Sequence, residues 1–192
     1  MSAKSVQAAL SVCSTIVEHI PDNLLLEPIE YLFADHCRQR EMCRAIKALA
    51  QISNFDEDAL QSAKLILNYL ENDFSNHMED EEQNLFPLLQ ARCAPEDRFT
   101  EILHVLQTEH QRDLFLFKDI CQGIRQITQG KTLSELPDFQ SSARLFAETH
   151  LAHLNWENTV VLDLARVRLN KDDQYALARG MAARRNITLP EL

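Results

Sequence analysis

Two short stretches, HMEDE at 77–81 and HLNWE at 153–157, each place a histidine four residues before a glutamate. On a helix that spacing stacks both side chains on one face. A lone histidine precedes each pair at nearly the same distance, His36 before His77 and His110 before His153, so the chain carries the pattern H…HxxxE twice. One histidine on an apolar stripe is usually a satisfied core residue; four in matched register, two of them with a glutamate one turn on, form a donor set. Imidazole suits iron, zinc, copper and nickel, and a carboxylate can join two ions. Four neutral imidazoles and two carboxylates carry two negative charges. Two divalent ions and a bridging hydroxide leave one positive charge, which a buried site tolerates. Without metal, Glu81 and Glu157 are expected to be buried with no positive partner. The expectation is a dinuclear metal centre built from His36, His77, Glu81, His110, His153 and Glu157. Six side chains underfill two six-coordinate ions, so positions stay open for a small diatomic gas or peroxide.

Other polar residues read differently. His19 and His104 are expected at the surface. The acidic run Glu79, Asp80, Glu81, Glu82 reads as a solvated face from which Glu81 alone points inward. His150, one turn before His153, has three readings: a supporting residue behind the ligands, an extra ligand or a core histidine. Cys37 and Cys43 are six residues apart and do not share a helical face.

Helices must carry these residues. Apolar side chains recur at helical spacing over 28–52, 56–91, 96–129 and 138–169, with shorter amphipathic segments at 3–19 and 171–185. Pro28 suits a first turn, "SNFDED" offers a cap, Pro87 is expected to bend or end its helix, and Gly130 to stop the third. The stripes include His36 with Gln39 or Arg40 in the next turn, Leu85 and Leu88 after Glu81, Leu114 after His110, and Val160 and Leu164 after Glu157. Each long helix holds a histidine near mid-length. The predicted fold is all-α, an up-down-up-down four-helix bundle with short N-terminal and C-terminal helices. Its expected organisation is a helical extension at 1–27, the bundle at 28–170, and a last helix and tail at 171–192. That last helix could cover one end of the bundle or make a homodimer contact.

Composition narrows the function. The 192 residues carry a net charge of −10, which repels nucleic acid and anionic lipid, so neither is an expected partner. Only 3 glycines and 6 prolines leave few turn formers, in keeping with long helices. Five cysteines at irregular spacing, without a CxxC pair, read as free thiols in a reducing cytosol. No run reaches the ~18 apolar residues of a membrane span, and the N-terminus lacks a signal-peptide core. The expected location is cytoplasmic.

The stretches "YLFADHCRQREMCRAI", "HMEDEEQNLFPLL", "LQTEHQRDLF" and "HLAHLNWENTVVL" resemble the bacterial hemerythrin-like, HHE cation-binding proteins, over roughly residues 28–185. The resemblance implies a non-haem di-iron centre with an oxo or hydroxo bridge. It gives ligand roles to His36, His77, Glu81, His110, His153 and Glu157, with both glutamates bridging. Ligand type alone leaves manganese or zinc open; iron rests on the resemblance. Oxygen-carrying members have a second histidine four after the third-helix one and an aspartate bridge on the last helix. Here those places are held by Leu114 and Glu157, so reversible O2 carriage is not expected. The implied function is a soluble di-iron protein that binds or reacts with O2, NO or peroxide, or senses iron or oxygen. Alternatives are an iron–sulfur repair or NO-detoxifying enzyme, and a metal-free helical module that binds a protein partner. Repair proteins of this kind carry an added cysteine-bearing N-terminal domain, which the first 27 residues are too short to form.

Overall fold

The computed structural model describes residues 18–52 and 54–190. The helix predicted at 3–19 lies almost wholly outside them, as does Cys13. Five helices follow a short 3₁₀ turn at Asp22–Leu26: α1 (Pro28–Leu49), α2 (57–92), α3 (Phe99–Thr128), α4 (137–168) and α5 (Lys171–Arg184). The fold is an all-α helical bundle, and no strand occurs among the described residues. Among these residues no helix is long and apolar enough to cross a membrane.

Local chemistry sets the helix ends. The Asp56 side chain accepts the Ala59 N–H at 2.9 Å, which caps α2. Gly130 closes α3 with φ of 95°, a conformation that a Cβ disfavours. Asn170 and Asp173 exchange backbone-to-side-chain bonds of 2.9 and 3.0 Å at the start of α5.

α2 is continuous but not uniform. It runs as Glu57–Tyr69, Ser75–Asp80 and Phe86–Arg92, joined by π-helical turns at Leu70–Phe74 and Glu81–Leu85. α4 runs as Pro137–Trp156 and Leu162–Arg168, joined by a π-helical turn at Glu157–Val161. Such a turn inserts one residue, so the buried face slips by one position beyond it. The stripe predicted through Leu88, Val160 and Leu164 therefore moves: these three are half-buried, while Leu89, Val161 and Ala165 are fully buried. Pro87 neither ends nor breaks α2. Its missing N–H falls where the π turn has already shifted the hydrogen-bond ladder, and the helix continues to Arg92.

The chain forms two compact units. One is built on Arg38–Asp73 and Gln111–Ala152. Its interior holds Ile46, Leu49, Ile66 and Phe146, together with a buried polar group. There His150 bonds Asp113 through Nδ1 at 2.8 Å and Gln39 through Nε2 at 2.7 Å, and its ring stacks on Phe146. Gln39, not Arg40, thus fills the turn after His36. Arg112 in turn holds Asp113 at 3.1 Å. Cys43 is buried in this unit, and burial pushes its thiol well above the ordinary range.

The other unit is built on Ile20–Cys37, Phe74–His110 and the chain from His153 onward. Its core includes Leu32, Phe86, Leu106, Leu162, Leu177 and Met181. α5 packs its Leu177 and Met181 face inward, so this helix covers part of its own chain. The solvated acidic run expected at 79–82 is corrected here. Asp80 is completely buried and paired with Arg184 at 2.8 Å and Arg185 at 2.7 Å. Glu82 is half-buried. Two guanidiniums from the end of α5 are what allow a carboxylate at position 80 to turn inward.

Candidate metal centre

All six residues singled out from the sequence lie in the second unit. They form two overlapping groups of four: His36, His77, Glu81 and Glu157, and Glu81, His110, His153 and Glu157. Within each group the donor atoms lie within 4.8 Å of one another. The glutamates belong to both. Glu157 Oε2 is 3.6 Å from His36 Nε2, while its Oε1 is 3.0 Å from His153 Nε2 and 3.8 Å from His110 Nε2. Glu81 Oε1 faces His36 Nε2 at 3.8 Å, and its Oε2 faces His77 and His110 Nε2, each at 3.4 Å.

Every side chain here is buried. Both oxygens of Glu81, both of Glu157 and Nε2 of His36 make no hydrogen bond. Buried polar atoms left in that state are costly, unless a further partner supplies what the protein omits. Four inward-facing imidazole nitrogens and two shared carboxylates fit a pair of cations in donor type, number and burial.

The outward-facing nitrogens have partners that the sequence reading missed. His110 Nδ1 meets Glu82 Oε1 at 2.7 Å, His153 Nδ1 meets Glu109 Oε2 at 2.8 Å, and His36 Nδ1 meets Asn158 Oδ1 at 2.7 Å. His77 Nδ1 faces Asp35 Oδ2 at 3.1 Å without hydrogen-bond alignment. Acceptors in this position fix the ring and aim Nε2 at the interior. Each is the sequence neighbour of a member of the cluster: Asp35 before His36, Glu109 before His110, Glu82 after Glu81, Asn158 after Glu157. The repeated acidic neighbour was the available signal. It is easily taken for a solvated face because each of these residues orients a ring on another helix.

Charge within the cluster also departs from the expectation of unpartnered carboxylates. Burial opposes a charged His77 ring, but Glu81 and Asp35 outweigh it and raise it from 6.5 to about 9. Burial likewise acts against His110 and His153. Glu157, Glu81 and Glu82 lift His110 to about 12, and Glu157 and Glu109 lift His153 to about 10. For Glu81, burial and the Glu157 charge act upward and His77 downward; for Glu157, burial acts upward and His153 downward. Both carboxyls end below their ordinary range. These shifts favour positive charge on His77 and on the His110–His153 pair, whose Nε2 atoms lie 3.2 Å apart and share one proton, opposite the two glutamates.

Other expectations change as well. Leu114, expected on the inner stripe of α3, is 45% exposed, whereas Leu106 on the other side of His110 is buried. Helix α3 turns Asp113 inward instead, toward His150. His150 is absent from both groups of donors and has protein partners on both ring nitrogens. His19 and His104 are exposed, as expected. Cys37 is exposed and Cys43 buried, and Cys37, Cys43, Cys93 and Cys121 are free thiols.

Compared with known proteins, residues 27–165 match the model of the hemerythrin HHE cation-binding domain. No curated protein matches the chain. The match covers well over half of the sequence and spans both H…HxxxE repeats, the two glutamates that open π turns, and every donor of the buried cluster. The chain belongs to the hemerythrin HHE cation-binding domain family.

Proposed function

We propose that this chain is a non-haem di-iron protein that binds or reacts with O2, NO or peroxide. The observation that supports this reading best is the sharing of Glu81 and Glu157 between two four-residue groups, with all four carboxylate oxygens buried and lacking hydrogen bonds. Glu157 turns one oxygen toward each group, and Glu81 Oε2 faces one histidine of each, as residues serving two ions would. His36 and His77 would hold one ion, His110 and His153 the other, and both glutamates would join them. Iron in such a site supplies electrons and open coordination positions to a small ligand.

The chain's own residues do the rest. Glu82, Glu109, Asn158 and Asp35 hold the imidazoles with Nε2 inward. Phe86, stacked on His110 at 5.6 Å between ring centroids, covers that ring with an apolar side chain and limits water there. Six side-chain donors for two ions leave room for a diatomic molecule.

The test is metal analysis of protein prepared without chelator, followed by absorption spectra of the reduced protein before and after O2 or NO. Two iron ions per chain and a new spectrum with either gas are expected. Metal-free protein that stays metal-free on incubation with Fe(II) would overturn the metal reading. Iron-loaded protein with unchanged spectra would overturn the gas reading.

A further inference from the structure

We infer that the two metal positions are inequivalent, that the His110–His153 position fills first, and that Asn158 sets the difference. This rests on the di-iron reading above. The cluster repeats almost symmetrically: Asp35 and Glu109 stand in matching places before a histidine, and Glu82 and Asn158 in matching places after a glutamate. One pair breaks the symmetry. His110 Nδ1 has the Glu82 carboxylate at 2.7 Å, whereas His36 Nδ1 has the Asn158 amide oxygen at the same distance.

A carboxylate behind an imidazole raises its electron donation and places negative charge near the ion; an amide orients the ring but brings no charge. The second pair leans the same way. Glu109 is hydrogen-bonded to His153 at 2.8 Å, while Asp35 sits 3.1 Å from His77 and out of line. Asp35 is the more buried carboxylate, so its charge is less screened, but Arg185 interacts with it as well as with Asp80. The His110–His153 group thus has two aligned carboxylates behind it, and the His36–His77 group one misaligned carboxylate beside a guanidinium. Glu81 and Glu157 serve both groups and do not discriminate.

Outer partners of this kind change metal affinity by roughly 10- to 100-fold. The experiment is an anaerobic Fe(II) titration of the full chain against a competing chelator, with iron counted by elemental analysis and folding followed by circular dichroism. Wild type should bind two ions in two steps. Asn158→Asp should tighten the second step by about tenfold and leave the first in place. Glu82→Gln should weaken the first step by about tenfold, and Glu109→Gln, an independent variant, should do the same. Two equivalent positions that merely repel each other give the opposite pattern: Glu82→Gln weakens the second step and Asn158→Asp tightens the first. That pattern, or variants that leave both steps unmoved, overturns the inference while two-ion binding stands. A wild type that takes up no second ion overturns the di-iron reading itself.

Discussion

Glu81 and Glu157 occupy the same place in two separate π-helical turns: each is the first residue, and each carbonyl accepts the N–H five residues on, from Phe86 and Leu162. The extra residue in each turn lets one helix present HxxxE at α-helical spacing on one side and re-aim its apolar face on the other. π turns cluster at functional positions because they are less favourable than α-helix and persist where something else compensates.

The extra residue is absorbed by the turn, which makes its removal and its duplication unequal. Deleting Gln83, which is exposed, would restore α-helical pitch and move Phe86 and Leu89 back one position, onto the face that the α-helical period already turns inward, so both stay in the core. Inserting one alanine after Gln83 would instead rotate Phe86 and Leu89 out of the core by about 100° and is expected to destabilise the protein by at least about 3 kcal/mol, while the deletion costs about 1 kcal/mol. Urea denaturation of both variants checks this; a deletion as costly as the insertion would contradict this account of the turn.

The charge state of the metal-free cluster gives a stability profile with a definite sign. His77 and His153 titrate at about 9 and about 10 in the folded protein against an ordinary value of 6.5. Groups raised in this way contribute stability that is complete below about 6.5 and is lost as pH rises through 9 to 10. Glu81 and Glu157, lowered from 4.5, act at the other end and lose their contribution as pH falls below that value. Carefully stripped protein should therefore unfold at lower urea concentration at about pH 9.5 than at about pH 6. Metal binding runs the other way, because ions compete with ring protons, so iron should be released as pH falls. A stripped protein more stable at the higher pH would contradict the protonated-imidazole account.

His150 separates a structural histidine from the four proposed as ligands. Replacing it by Leu removes the imidazole that bonds Gln39 and Asp113 while Arg112 still pairs with Asp113, a loss of about 1–3 kcal/mol. Iron content should not change. Loss of one ion per chain in a variant that remains folded would make His150 a ligand after all.

The last helix is held by charge as well as by Leu177 and Met181. The Arg184→Ala/Arg185→Ala double variant would leave Asp80 buried beside the cluster with no cation, and should lower stability by about 3–5 kcal/mol. Adding Asp80→Asn to the same variant should recover part of that loss. Denaturation midpoints read both effects, and a double variant as stable as wild type would show that the pairing is dispensable.

The bundle and the six clustered residues were legible because they rest on period. Apolar residues at 3.6 spacing identified every long helix, and the doubled H…HxxxE identified the cluster. What escaped the sequence reading has no such period. A π turn leaves no composition signal, so α-helical period points to Val160 and Leu164 where Val161 and Ala165 are buried. Buried acidic residues look like solvated ones: Asp80 needs Arg184 and Arg185, more than one hundred positions away, to turn inward, and Asp113 needs His150. Leu114 follows the same pattern: apolar period points it inward, but Asp113 takes the buried side of α3 and Leu114 is exposed.

The most direct test of the account counts iron in the Glu81→Ala/Glu157→Ala double variant beside wild type, both folded by circular dichroism and both reconstituted anaerobically with Fe(II). Each glutamate is proposed to touch both ions, so wild type should hold two iron ions per chain and the double variant should lose both. Two tightly held ions in the double variant would contradict the bridging role of Glu81 and Glu157 and the two-ion site built on it.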